Sequence, residues 1–123
     1  MSDIVARVGA VMIDCHDPQK LAVFWGELTG TNPEFVYPEY IFMSKLPGNH
    51  IRLAFQKVPE SKTIKNRVHL DLGIKDPEAF IQRVLELGGS VNETHQMSEG
   101  PAWTVLTDPE GNEFCITVPH EDD

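Results

Sequence analysis

Arg67-Val68-His69-Leu70-Asp71-Leu72-Gly73-Ile74-Lys75-Asp76-Pro77 reads as a strand that runs straight into a helix. Val68, Leu70, Leu72 and Ile74 alternate with His69, Asp71 and Gly73. That is the period of two of a half-buried strand. One face is wholly apolar and the other carries a histidine and an aspartate. Asp76 then suits an N-cap, and Pro77 the first helical position. The same arrangement occurs earlier, in Ala10-Val11-Met12-Ile13-Asp14-Cys15-His16-Asp17-Pro18. The chain can be read as two copies of one unit.

Sliding one half over the other tests the repeat. Asp17-Pro18 lands on Asp76-Pro77 at an offset of 59, and Leu21, Trp25, Leu28 and Gly30 then meet Phe80, Val84, Leu87 and Gly89. Gly48-Asn49-His50-Ile51-Arg52-Leu53 meets Gly111-Asn112-Glu113-Phe114-Cys115-Ile116 at an offset of 63, so one loop differs in length. Strands are predicted over 4–15, 35–37, 40–45 and 50–58 in the first half, and over 67–74, 90–96, 102–107 and 113–118 in the second. The helices are predicted over 18–29 and 77–87. Gly30 and Gly88-Gly89 stop them. Pro47-Gly48-Asn49, Ser98-Glu99-Gly100-Pro101 and Asp108-Pro109-Glu110-Gly111-Asn112 supply turns.

The fold class is therefore α+β, with two βαβββ modules. Module one covers 4–58, a polar connection 59–66, and module two 67–119. One helix covers one face of each small sheet. The second faces carry Met12, Asp14, Arg52, Gln56, His69, Asp71, Glu113, Cys115 and Thr117. A purely structural core would not select that set, because an unpaired buried charge costs several kcal/mol. These faces are expected to line a cavity open to water or ligand.

Composition narrows the function classes. A chain of 123 residues with a formal net charge of −9 lacks the basic face that nucleic acid and anionic membranes require. No stretch approaches the ~18–20 apolar residues of a membrane span. No basic segment followed by an apolar run opens the chain, so a cytoplasmic location is expected. Cys15 and Cys115 have no metal-knuckle spacing and are too few for a disulfide framework. Lys57, Lys62, Lys65 and Arg67 form one mildly basic stretch, expected to be a solvated linker.

With these features the chain resembles the vicinal oxygen chelate superfamily, and within it the glyoxalase-like and bleomycin-resistance-like proteins. The carriers are the duplicated pattern, Ala22-Val23-Phe24-Trp25, Val68-His69-Leu70-Asp71-Leu72, and Asp108-Pro109-Glu110-Gly111-Asn112-Glu113-Phe114-Cys115. The resemblance spans nearly the whole chain. It implies curved mixed sheets around a central cavity, a small-molecule ligand and, as in many short members, a homodimer. It implies either a binding protein or a metal-dependent lyase, isomerase or dioxygenase. In metal-using members four positions hold the ion; here they carry Ala10, Arg52, His69 and Cys115. Alanine cannot coordinate, and a guanidinium only donates. No cofactor is expected on that count, unless Asp71, Glu113 or Asp14 substitutes as a ligand.

The ligand-binding residues expected on this reading are His69, Arg52, Asp71, Asp14, Cys115, Gln56, Met12 and Trp103. His69 has a side chain suited to anion binding or proton transfer near neutrality, or to pairing with Asp71. Arg52 could clamp a carboxylate with its planar fork, or neutralise Asp14, Asp71 or Glu113. Asp14 and Asp71 occupy similar places in the two units. Cys115 could be a nucleophile if its pKa were depressed, or an inert buried thiol. Trp103, Tyr40, Phe42 and Met12 could wall a planar ligand, or pack a core. No catalytic residue is assigned.

Overall fold

The computed structural model describes residues 5–95 and 103–117. The chain divides into two compact units between Ser61 and Lys62. Unit one contains β1 (Ala10–Cys15), α1 (Pro18–Thr29), β2 (Pro33–Val36), β3 (Tyr40–Lys45) and β4 (Arg52–Lys57). Unit two contains β5 (Leu70–Gly73), α2 (Pro77–Glu86), β6 (Ser90–His95), β7 (Trp103–Thr107) and β8 (Glu113–Thr117). The sheet orders are β1-β4-β3-β2 and β5-β8-β7-β6. In each sheet the first strand pairs parallel with the last, and the other pairs are antiparallel. The fold is α+β, built twice from the same topology.

Local chemistry fixes the helix ends. The Lys20 N–H donates to Asp17 Oδ1 at 3.2 Å, and the Ala79 N–H to Asp76 Oδ1 at 3.1 Å. Each aspartate thereby satisfies one of the orphan donors of a helix start, with proline following at a position whose N–H would be unused. Gly30 ends α1 in the left-handed region, at φ 68°. That conformation favours a residue without Cβ.

Several strands are shorter than the alternation predicts, for identifiable reasons. The strand expected over 4–15 begins at Ala10, because its partner β4 begins at Arg52 and these two residues are opposite one another. The strand expected over 50–58 also starts at Arg52. Asn49 Oδ1 accepts from the His50 and Ile51 N–H groups at 2.8 and 2.9 Å, which holds them in a turn. The strand expected from 67 starts at Leu70, opposite Phe114. Ahead of it, Asn66 Nδ2 donates to the Glu113 carbonyl at 3.2 Å in place of a ladder bond. The turn at 98–101 lies outside the described residues.

In unit one, Leu21, Phe24 and Trp25 of α1 are buried with Ile41, Met43, Leu53 and Phe55 of the sheet, all 3 % exposed or less. The Phe24 and Trp25 rings meet edge to face, 5.4 Å between centroids. In unit two, Val84 is the one fully buried residue of α2, within a core of Leu106, Phe114 and Ile116. Phe80, Ile81 and Leu87 are half-buried. No helix among the described residues is long and apolar enough to cross a membrane.

Candidate functional site

The pleat gives each sheet one face under its helix and one away from it. In unit one the second face carries Ala10, Met12 and Asp14 of β1, Tyr40 and Phe42 of β3, and Arg52, Ala54 and Gln56 of β4. The register places Met12 and Phe42 on either side of Ala54, and Asp14 and Tyr40 on either side of Gln56. Ala54 is fully buried between its larger neighbours. Phe42 is half-buried and stacks on Tyr40 at 6.5 Å, with Tyr37 edge-on at 6.4 Å. Met12, Phe35, Tyr37 and Tyr40 remain between 38 and 54 % exposed. They form an aromatic and thioether surface facing away from the core. Gln56 Nε2 donates to the Tyr40 hydroxyl at 3.5 Å. Asp14 is exposed on the same face.

Arg52 stands at the edge of this surface. Its partner is Glu34, at 2.9 Å, rather than Asp14, Asp71 or Glu113. Nη1 also donates to the Met43 carbonyl at 3.1 Å, and the guanidinium lies 5.2 Å from the centre of the Phe35 ring. Among the described residues both hydrogen bonds use Nη1, so the Nη2 side of the fork makes none. Glu34, Phe35 and Tyr37 join this surface without a local sequence signal that marks them. Alternation marks β2 as a strand, but a bulge between Pro33 and Phe35 decides which side chains reach Arg52.

The second face of unit two is different in chemistry. His69 lies just ahead of β5 and Asp71 two residues on, so both point to one side. Asp71 is opposite Cys115 across the parallel β5–β8 pair. The His69 Nε2 lies 3.1 Å from Asp71 Oδ1. One nitrogen of His69, one oxygen of Asp71 and the Cys115 sulfur all lie within 4.8 Å of one another. The histidine and aspartate side chains are 45 and 67 % exposed, whereas Cys115 is buried. Burial pushes the Cys115 thiol above its ordinary value, and the negative charge of Asp71 adds to the rise. This environment does not activate a nucleophile. Trp103 is half-buried at the start of β7, opposite Thr117.

Glu113 shares that face but is committed elsewhere. Lys62 Nζ donates to Oε1 and the Asn66 N–H to Oε2, both at 2.8 Å. Burial tends to raise the Glu113 carboxyl. The bonds from Lys62 and Asn66, with the Lys62 charge, outweigh that and hold it below its ordinary value. The stretch expected to be a solvated linker is therefore partly a tie: Lys62 also donates to the Ile64 carbonyl at 2.6 Å. Asp108 is structural too. The residue is 2 % exposed, and its carboxylate accepts from the Glu110 and Asn112 N–H groups and from Asn112 Nδ2, closing the β7–β8 turn.

The four positions at which the superfamily resemblance implies a metal do not fit one as a set. Ala10 and Arg52 are direct neighbours across β1 and β4, and neither offers a donor to a cation. On the helix side of unit one, a groove of about 640 Å³ runs between α1 and the edge strand β2, lined by Val23, Gly26, Thr31, Pro33 and Val36 among others. Asp14, Glu34 and Arg52 of the same unit are not among its lining residues.

Comparisons with known proteins agree with this architecture. A glyoxalase-related enzyme from Fulvimarina pelagi superposes with a TM-score of 0.72 at 21 % identity, over 94 % of this chain and 89 % of that one. A glyoxalase/bleomycin resistance protein/dioxygenase family enzyme from Burkholderia phytofirmans superposes at 0.74 and 18 % identity, over 92 % and 98 %. Lactoylglutathione lyase from Agrobacterium tumefaciens superposes at 0.65 and 14 % identity, over 93 % and 94 %. At these identities the likeness is one of fold. No curated protein matches the sequence. The family model of the glyoxalase-like domain matches residues 10–117, nearly the whole chain, and the chain belongs to that family.

Proposed function

We propose that this chain is a small-molecule binding protein of the glyoxalase/bleomycin-resistance type with a metal-free site, in which Arg52 stands at one of the family's usual metal positions. The observation that carries the reading is the second face of unit one. It leaves Met12 and Tyr40 about two-fifths and Phe35 about half exposed beside a half-buried Phe42, with Arg52 at the edge. Each ring buries roughly 150–250 Å² when covered, so these residues leave on the order of 200 Å² accessible. Covering it offers roughly 5 kcal/mol gross, before the cost of fixing the ligand. The ligand class that suits the surface is a planar apolar or aromatic body with a carboxylate or carbonyl end. The open side of the Arg52 fork supplies donors for that end. Glu34 keeps the guanidinium in place against Phe35.

A thermal-shift screen of aromatic carboxylates tests this. A binder at 100 times its Kd raises stability by about 2.7 kcal/mol. The expected result is a dose-dependent rise that Arg52→Ala weakens by more than tenfold in apparent affinity. A hit whose affinity is the same in Arg52→Ala removes Arg52 from the site.

A further inference from the structure

We infer that the second face of unit one takes an elongated amphoteric small molecule. Its anionic head sits at Arg52, its apolar body crosses Met12 and Phe42, and a protonated amine at its far end meets Asp14, Gln56 and Tyr40. The inference rests on the binding reading above and adds a second polar subsite to it, which fixes the ligand's charge and length.

The sheet sets the two ends apart. The Arg52 guanidinium is held over β2 by Glu34 and the Phe35 ring. Asp14 is on β1, at the opposite edge of the β1-β4-β3-β2 sheet. Phe35 is level with Phe42 and Ala54, whereas Asp14 is level with Gln56, two residues further along β4. With strands about 4.8 Å apart and about 3.3 Å per residue, the two ends are roughly 15 Å apart along the sheet. Met12, Ala54 and Phe42 fill the interval and carry no charge.

The far end is built of acceptors. Asp14 is exposed and, among the described residues, makes no hydrogen bond or ion pair. Beside it, Gln56 spends its Nε2 on the Tyr40 hydroxyl, which leaves its Oε1 as an open acceptor. The Tyr40 ring, 38 % exposed, adds a face on which a cation can rest. An ammonium has donors for both Asp14 and Gln56. A ligand that covers the aromatic surface also takes water away from Asp14, and an unpaired carboxylate resists that. A ligand amine removes the penalty. It also eases the approach of an anionic head to a chain whose formal net charge is −9.

The test is calorimetry on the full chain with two probes, para-hexylbenzoate and para-(aminohexyl)benzoate, which differ only in the terminal amine. Wild type is expected to bind the amine probe more tightly by about fivefold or more. Asp14→Asn, a same-sized change at an exposed position, should bring the two affinities to within about twofold of each other. The short pair, para-methylbenzoate and para-(aminomethyl)benzoate, cannot reach both ends and should show no such preference. Binding of para-hexylbenzoate with no gain from the amine overturns the inference and leaves the binding reading standing. A preference that survives Asp14→Asn, or one of equal size in the short pair, also overturns it. Failure of both hexyl probes to bind overturns the inference together with the reading it rests on.

Discussion

Replacing Glu113 by glutamine removes one charge and almost no volume. It also breaks the tie that holds residues 62–66 against β8. Glutamine keeps one acceptor oxygen where glutamate has two. It can serve Lys62 or the Asn66 N–H, and whichever it abandons then faces an NH₂ group. Hydrogen bonds to charged groups are worth about 1.5–3 kcal/mol. The Lys62 side chain is 22 % exposed and regains water when released, so its share falls toward the low end. The Asn66 N–H is half-buried and regains less. The expected cost at neutral pH is about 2 kcal/mol. With a urea slope of about 1–3 kcal/mol per molar, the unfolding midpoint should fall by roughly 1 M.

The pH dependence has a definite sign. The folded carboxyl lies below its ordinary value, so its contribution is fully present above the unfolded pKa, about 4.3. It is lost as pH falls through the lower folded value. Urea curves of the wild type and Glu113→Gln, followed by circular dichroism at a series of pH values, should therefore converge in acid. A gap below about 0.5 kcal/mol at neutral pH, or a gap that persists at the acid end, would refute the assignment.

Four further outcomes are expected. Gly26→Ala should destabilise by about 2–3 kcal/mol, although alanine ordinarily gains about 1 kcal/mol in a helix, because the new Cβ would sit 2.7 Å from the Thr31 carbonyl oxygen; a raised melting temperature would show that the turn after α1 yields. Asp108→Ala should cost about 2–3 kcal/mol by chemical denaturation through the loss of three bonds at a buried carboxylate, and a cost near zero would mean that the turn holds without it. His69→Ala should change stability by less than about 1 kcal/mol, since an exposed ion pair contributes little; a loss above ~3 kcal/mol would make the residue structural. Sedimentation at micromolar concentration is expected to report a homodimer, as the family resemblance implies, and a clean monomer would remove that expectation.

What the sequence revealed follows the range of each interaction. Asp17-Pro18 and Asp76-Pro77 are local signals, and the caps are where those dipeptides put them. Alternation assigned the faces of β1 and β4 correctly because period two is a property of the strand alone. Strand starts were misjudged at Ile4, His50 and Arg67, since a strand ends where its partner ends. The His69–Asp71 spacing was visible. Its meeting with Cys115 required the β5–β8 register, which no local pattern specifies. The Arg52–Glu34 pair depends on a bulge in β2, and the Lys62–Glu113 pair on a loop that returns across 51 positions of sequence. Such polar ties leave no periodic trace, so Lys62 looked like part of a solvated linker.

The most direct test of the binding reading is an isotherm for an aromatic carboxylate found in the screen, measured by calorimetry on chelator-stripped protein. Wild type, Arg52→Ala and Cys115→Ser are compared. Saturable binding to the wild type is expected, weakened more than tenfold by Arg52→Ala and unchanged by Cys115→Ser. Binding that needs added metal, or that Cys115→Ser abolishes while Arg52→Ala leaves it intact, would contradict it and move the ligand site to the other sheet.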